Sequence, residues 1–425
     1  MANDLLHIKD AYYFEVPRFL WKSRKTDRTD FPPHYVRLDP EYQDWEADRL
    51  AKDLAQLADG GVAAPPPEAL LRAYHAWRDE HANFASPFDR FLEESPEQQW
   101  FQRPLCLGKY AKRQQDESAE AWAIRQGGAE KLRGKWETIK AQADDVKAYD
   151  AESPAWSAEK IEQYNRQLDG KIVIPQPFGT LRNNYEPESG FCISKFMILE
   201  LLVAGLLLLA FRKLAEKVVD GRPARGKLWN LFEGFLVFIR EKIALPAIGE
   251  HDADRFVPLL WTLFMFILGC NLLGMLPWLG APTGSFSVTL GLALVTLATV
   301  LLSGSKQFGV WGFWKNQVPH MGLPLPLAIF VVPMIFAIEV LGLLIKHLVL
   351  GIRLLANMVA GHLVLLAIMG LAVAAAPSPN YWITAVVAVV GSAVFSLLEL
   401  FVAFLQAYVF TFLSALFIGA AIHHH

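Results

Sequence analysis

The sequence predicts an all-α polytopic membrane protein. It should have about five membrane helices, the last two long and strongly tilted, and a mostly helical soluble N-terminal region. Three observations carry this expectation. The chain is 425 residues long and 53% hydrophobic, yet its charge is unevenly spread. Residues up to Ile193 hold 26 Lys/Arg and 33 Asp/Glu, and the remainder hold 14 and 10. From Phe256 to the end only six formal charges remain: Lys306, Lys315, Glu339, Lys346, Arg353 and Glu399. A stretch this poor in charge is a membrane domain, and the charged part before it is not. The expected division is a soluble extension over 1–193 and a membrane domain over 194–425.

The extension is rich in Trp, Tyr and Pro as well as charge, and seven of the thirteen tryptophans lie in it. That is too many for a purely disordered tail. Pro65-Pro66-Pro67 precedes a predicted helix from Glu68 to His81. Polar helical patterns follow over Asp116–Val146 and Ala158–Leu168. These point to a small helical accessory domain, with a helical interaction arm as the alternative. Met1 to Asp10 has no apolar core for a signal peptide, and Asp4, Asp10 and Glu15 do not suit an organelle presequence. A bacterial inner membrane is therefore the expected location, with the mitochondrial inner membrane as the alternative.

The first membrane helix is predicted over Lys195–Phe211, of minimal spanning length. Arg212, Lys213, Lys217, Arg222, Arg225 and Lys227 follow it and mark a cytoplasmic end by the positive-inside rule. Leu228–Ile248 alternates apolar and polar residues at helical period and reads as a helix along that surface. Further spans are expected over Phe256–Leu276 and Phe286–Leu302, separated by an uncharged turn at Pro277 and Pro282. Lys306 and Lys315 sit in an inner loop. Leu325–Ala376 has few breakers, and an unbroken helix of about 50 residues reaches roughly 75 Å. An upright span needs only about 30 Å, so the segment must tilt, bend back or both. A turn at Pro377–Asn380 leads to a last helix, Tyr381–Ile422, which is again too long to stand upright.

Arg353 lies inside this apolar run. A guanidinium stays protonated at any biological pH. At membrane depth it costs at least about 2.5–3.5 kcal/mol unless a partner, a wet cavity or a moving counter-charge receives it. At about 100° per residue, Glu339, Lys346, Arg353 and Asn357 share one stripe of the helix. Gly342 and Ala360 share that face and would let another helix approach closely. His362 falls on the opposite side, while Glu399 and Gln406 share a face of the last helix. In a proton path, Glu399 and His362 would relay protons and Asn357 and Gln406 would keep the site wet. Arg353 would act as the fixed charge that a passing carboxylate can meet only when ionised. A purely structural alternative has Glu339–Lys346 and Arg353–Glu399 pairs joining helices. Asn271 reads as a cap or an interhelical hydrogen bond, and His423–His425 as a solvated helix end.

Other chemistries are excluded. No basic cluster suits nucleic acid. The scattered Cys106, Cys192 and Cys270 form neither a metal site nor a disulfide framework. No phosphate-binding glycine loop, nucleophile elbow or HExxH occurs, so no cofactor site is expected and any nucleotide would bind elsewhere.

Ile352-Arg-Leu-Leu-Ala-Asn-Met-Val-Ala-Gly-His362 resembles the signature of subunit a of F-type ATP synthases. Phe266–Pro277, Ser287–Leu290 and Leu405–Thr411 resemble further family segments in the same order. The likeness runs from about Ser194 to the C-terminus. It implies the proton-channel subunit of the membrane sector, non-catalytic itself, with a c-ring, a subunit b stalk, the other synthase subunits and membrane lipid as partners. It implies that Arg353 is the essential arginine opposite the ring carboxylate, and that Asn357, Gln406 and Glu339 line the half-channels. His362 and Glu399 match a pair that occurs in either order among relatives. It also implies two long helices lying almost flat against the rotor. Relatives often have Pro where His347 stands. The opening His7–Pro17 resembles N-terminally extended forms of planctomycete-type bacteria. The rival functions are a secondary cation/proton antiporter and a non-transporting membrane scaffold. An antiporter would be expected to show paired inverted repeats, and no repeat is visible in 194–425.

Overall fold

The computed structural model describes residues 10–54, 57, 64–80, 87–102, 105, 119–218, 226–276, 279–317, 325–376 and 381–423. They form two compact units, Val16–Cys192 and a second made of Met1–Glu15 with Ile193–His425.

The first unit is helical, as the sequence predicts. Its helices are α1 (Pro40–Asp53), α2 (Pro67–Glu80), α3 (Phe88–Glu94), α4 (Ala119–Ala143), α5 (Val146–Glu152) and α6 (Ala158–Leu168). Local chemistry sets their starts. Asp39 caps α1 with Pro40 at the first position, Asp145 accepts from the Lys147 and Ala148 amides at 3.0 Å, and Ser157 caps α6. Each cap satisfies amides that the helix leaves unbonded. One apolar cluster joins Leu50, Leu54, Tyr74, Phe88, Phe91 and Trp136, and a second joins Phe31, Tyr35, Tyr42, Tyr149, Trp156 and Tyr164. Most of the tryptophans therefore pack in a core.

A β-hairpin, β1 (Gly179–Asn183) and β2 (Glu186–Gly190), is a feature the helical reading did not anticipate. Its turn residue Asn184 accepts from His34 Nε2 at 2.9 Å and donates to the Tyr35 hydroxyl at 3.0 Å. Arg28 is 4% exposed. It is held by Asp150 at 2.6 Å and by the carbonyls of Asp150 and Pro154 at 3.0 Å, over the Tyr149 ring.

In the second unit every predicted span forms a helix. These are α7 (Lys195–Val218), α8 (Lys227–Phe238), α9 (Ala253–Gly274), α10 (Phe286–Phe308), α11 (Val310–Asn316), α12 (Leu325–Ala374) and α13 (Tyr381–Ile422). By length and composition, four of the described helices can cross a membrane: α9, α10, α12 from Phe330, and α13. The chain is thus a multi-pass membrane protein. The fifth predicted span, α7, also forms, but Lys195, Glu200, Arg212 and Lys213 lie along it. The surface helix expected over Leu228–Ile248 is interrupted by a π turn at Ile239–Ala244. Pro246 comes two residues later, and its ring has no N–H and crowds the carbonyl four residues back, that of Lys242 within the π turn. Pro282 opens a short 3₁₀ turn, Pro282–Gly284. Pro277 and the turn at 377–380 lie outside the described residues.

The helix α12 is one continuous element of 50 residues and does not fold back. Pro333 sits inside it, and His347, where relatives often have Pro, leaves it unbroken. Close approach is built from small residues. A Cβ at Gly351 would come within 2.9 Å of the Thr289 carbonyl on α10, and one at Gly419 on α13 would strike the Ala247 carbonyl. Antiparallel α7 and α9 meet through stacked Phe211 and Trp261 at 3.9 Å and through Val203 against Gly269.

The His34 geometry predicts a pH effect on the first unit. Burial holds its pKa near 4, down from 6.5. Above pH 6.5 folded and unfolded states are both neutral there. Below it the unfolded chain takes up a proton that the folded one refuses until about pH 4. Stability should therefore fall by up to roughly 3 kcal/mol across that window, and hydrogen exchange of Val16–Cys192 amides would read it. His34→Gln should flatten this dependence, and an unchanged slope would contradict the assignment.

Candidate functional site

The site is assembled where α9, α12 and α13 converge. Glu399 on α13 is 7% exposed, and its Oε1 lies 3.0 Å from His362 Nδ1 on α12. His362 Nδ1 is also 3.1 Å from the Met358 carbonyl, and Nε2 is 3.0 Å from the Gly274 carbonyl at the end of α9. Both ring nitrogens thus face acceptors. A neutral imidazole carries one N–H and an imidazolium two, so the protonated ring can serve both sides at once. Gly361 makes the pairing possible, since a Cβ there would stand 2.8 Å from Glu399 Oε1.

On the Glu399 side of this pair lies a small cleft lined by Asn271, Leu354, Asn357, Met358, Glu399 and Gln406, with Val402 and Ala403. Asn357 is half-buried and Gln406 buried. Asn271 forms the interhelical hydrogen bond considered from the sequence. Its Nδ2 donates to the Ala403 carbonyl at 3.2 Å, and its Oδ1 accepts from the Thr283 hydroxyl at 2.7 Å. Four of the six predicted residues, Glu399, His362, Asn357 and Gln406, are therefore brought together.

The other two lie on the open face. Arg353, Lys346 and Glu339 are all exposed on α12, among exposed Ile338, Leu341, Leu344, Ile345, Leu348 and Ile352. Glu339 is fourteen residues from Arg353, about 21 Å along the axis. The structural alternative is corrected here. Glu399 pairs with His362 and not with Arg353, and no ion pair among the described residues joins Glu339 to Lys346 or holds Arg353. The wheel gave each side chain its face but not which neighbouring helix occupies it.

Several participants carry no sequence signal. The Gly274 and Ala403 groups are backbone carbonyls, and Thr283 is a common residue in an irregular turn. His347 is only 2% exposed, donates Nδ1–H to the Leu343 carbonyl at 2.8 Å and lies against the Phe417 ring. His423 is not merely solvated, since its Nε2 donates to the Ile248 carbonyl. His424 and His425 lie outside the described residues. Among the described residues no group of three His, Cys, Asp or Glu side chains is placed to hold a metal ion.

With this geometry in hand, known proteins can be compared. The family model described as ATP synthase A chain matches residues 194–419. ATP synthase subunit a of Anaeromyxobacter dehalogenans strain 2CP-1 is 46% identical over 199 residues, 47% of this chain and 50% of that protein. ATP synthase subunit a of Myxococcus xanthus is 38% identical over 243 residues, 55% of this chain and 75% of that one. ATP synthase subunit a 2 of Chlorobaculum tepidum is 38% identical over 285 residues, 64% and 78% respectively. The chain spans only about half the length of the Anaeromyxobacter relative.

The Asn271 contacts make a stability prediction. Asn271→Leu strips the buried Thr283 hydroxyl of its acceptor and should destabilise the unit by about 1–3 kcal/mol. Thr283→Val should cost less in the Asn271→Leu background than alone. Thermal unfolding in detergent of both variants and the double mutant measures this, and full additivity would contradict the contact.

Proposed function

The chain belongs to the ATP synthase A chain family, and from that premise we propose that it is the stator proton-channel subunit of an F-type rotary synthase. In this reading protons enter one half-channel, neutralise a rotor carboxylate, travel with the ring and leave by the other. Residues 194–425 form the membrane domain and 1–193 a soluble extension to it. The complex lies in a bacterial inner membrane, and the three relatives named above are bacterial. A c-ring, a subunit b stalk and membrane lipid are its partners, and it carries no nucleotide site of its own.

The observation that carries the reading is the separation of the charges. His362 and Glu399 form an ion pair beside a polar cleft, while Arg353 faces outward with no ion pair among the described residues. A guanidinium exposed at membrane depth calls for a counter-charge from outside the chain. A rotor carboxylate passing it is favoured in the ionised form, because an opposite charge within a few ångströms stabilises the carboxylate. That carboxylate must therefore lose its proton before it reaches Arg353 and gain one after it. Arg353 cannot carry the proton itself. Glu399, which lines the cleft, and His362, in contact with it, can. Asn357 and Gln406 supply donors and acceptors that keep the cleft polar, and Glu339 supplies a carboxylate to the other half-channel. Nothing in the comparisons favours the antiporter.

The test is ATP-driven acidification of inverted vesicles, with wild type and Arg353→Ala compared at equal amounts of assembled complex. The proposal expects pumping to be lost in Arg353→Ala, while ATP hydrolysis by the released catalytic part is intact. Ring-coupled pumping at the wild-type rate in that variant would refute it.

A further inference from the structure

We propose that Glu200, on α7, is a further proton-carrying group of this chain, serving the half-channel that ends at His362 and Glu399. The inference rests on the channel reading and adds to it a residue from a helix outside the convergence of α9, α12 and α13.

The argument is one of level and face. Because α7 and α9 run antiparallel, Phe211 stacks on Trp261 and Val203 meets Gly269. Glu200 lies three residues before Val203, about 4.5 Å further along, which brings it level with Leu272. The Gly274 carbonyl, about 3 Å beyond, is the one that holds His362 Nε2. Glu200 and the His362–Glu399 pair thus stand at the same depth on two sides of α9. The turn Pro282–Gly284 packs against both α7 and α12, and its Thr283 hydroxyl bonds Asn271, which lines the cleft with Glu399. A turn that packs on α7 is thus hydrogen-bonded to a residue that lines the cleft.

The placement of Glu200 on α7 also matters. The helix exposes Leu201, Leu202, Leu206, Leu208 and Leu209 and buries Phe196, Leu199 and Val203. Glu200 is half-buried on the inward side, where an apolar residue would pack without cost. An ionisable side chain kept there marks a pathway more often than a packing contact. Among the described residues the titratable groups that interact with it are Asp10 in the N-terminal segment and Cys270 on α9, while Asp10 and Glu15 act on Lys195 at the start of α7. Asp10 is fixed beside the start of α7, where its carboxylate accepts from the Phe196 amide at 3.2 Å. The step is a proton transfer in which the Glu200 carboxylate takes a proton from hydronium, leaving water, and returns to carboxylate on releasing it toward Glu399.

A collecting carboxyl matters most when protons are scarce, and this gives a readout that a packing role would not move. The complete complex is reconstituted in vesicles under a fixed potassium diffusion potential. ATP synthesis is measured as the pH of the compartment facing the N-terminal end of α7 is raised. Glu200→Gln should match wild type near about pH 6 and fall roughly tenfold behind it near about pH 8, and Glu200→Asp should restore most of the rate. A Glu200→Gln profile that superimposes on wild type, or one lowered by the same factor at every pH, overturns the proposal. If Glu200→Gln does not assemble, Glu200→Ser decides: a deficit that grows between about pH 6 and about pH 8 supports the proposal, and one equal at every pH overturns it. Absence of synthesis by the wild-type complex would instead count against the channel reading itself.

Discussion

A guanidinium cannot be left against hydrocarbon, and the whole second unit can be understood from how it treats Arg353. Among the described residues no carboxylate is paired with this charge. Glu399, the carboxylate on the neighbouring long helix, is already held by His362 at 3.0 Å. Glu339 stands about 21 Å away along the same helix. The positive charge is therefore presented outward on a face of exposed leucines and isoleucines, an apolar surface that is itself unsuited to water. One partner would resolve both features if it brought apolar helices and a carboxylate together. On the proposed reading that interface is part of the chemistry, since the counter-charge it brings to Arg353 can come and go.

The acid–base pair is held in place by packing as much as by charge. Gly351 admits α10 against α12, Gly361 admits Glu399 against α12, and Gly419 admits the C-terminal part of α13 against the turn after the π bulge. Each is a place where a methyl group would push two backbones or a carboxylate apart. Interhelical polar contacts then fix the register. Asn271 ties α9 to α13 and His362 ties α12 to the end of α9. Such contacts gain their weight from the absence of competing water, so a buried polar atom without a partner is costly.

Much of this was legible in the sequence. Helices α6 and α13 begin and end where apolar periodicity and flanking turn residues place them. The family signature around Arg353 pointed to the residues that gather at the cleft. The N-terminal hairpin was not legible, because its strands are short and its residues polar. Between the two partners the sequence leaves open for Glu399, His362 in a proton relay or Arg353 in a structural pair, the structure selects His362. Helical angle fixes a side chain's face, but only the third dimension says that α13 sits on the His362 side of α12. Carbonyls such as Gly274 and Ala403 carry no sequence signal at all, and Glu200 is one acid among several near a helix start until α9 is laid beside it.

The central claim is that protons pass through the His362–Glu399 contact. The most direct measurement is proton pumping by complexes carrying His362→Glu, Glu399→His and both exchanges together, at matched assembly. A contact that works as an acid–base pair has no preferred direction, so the double exchange should retain pumping while each single exchange loses most of it. A double exchange as inactive as the singles in a fully assembled complex would contradict the account, as would single exchanges that pump like wild type.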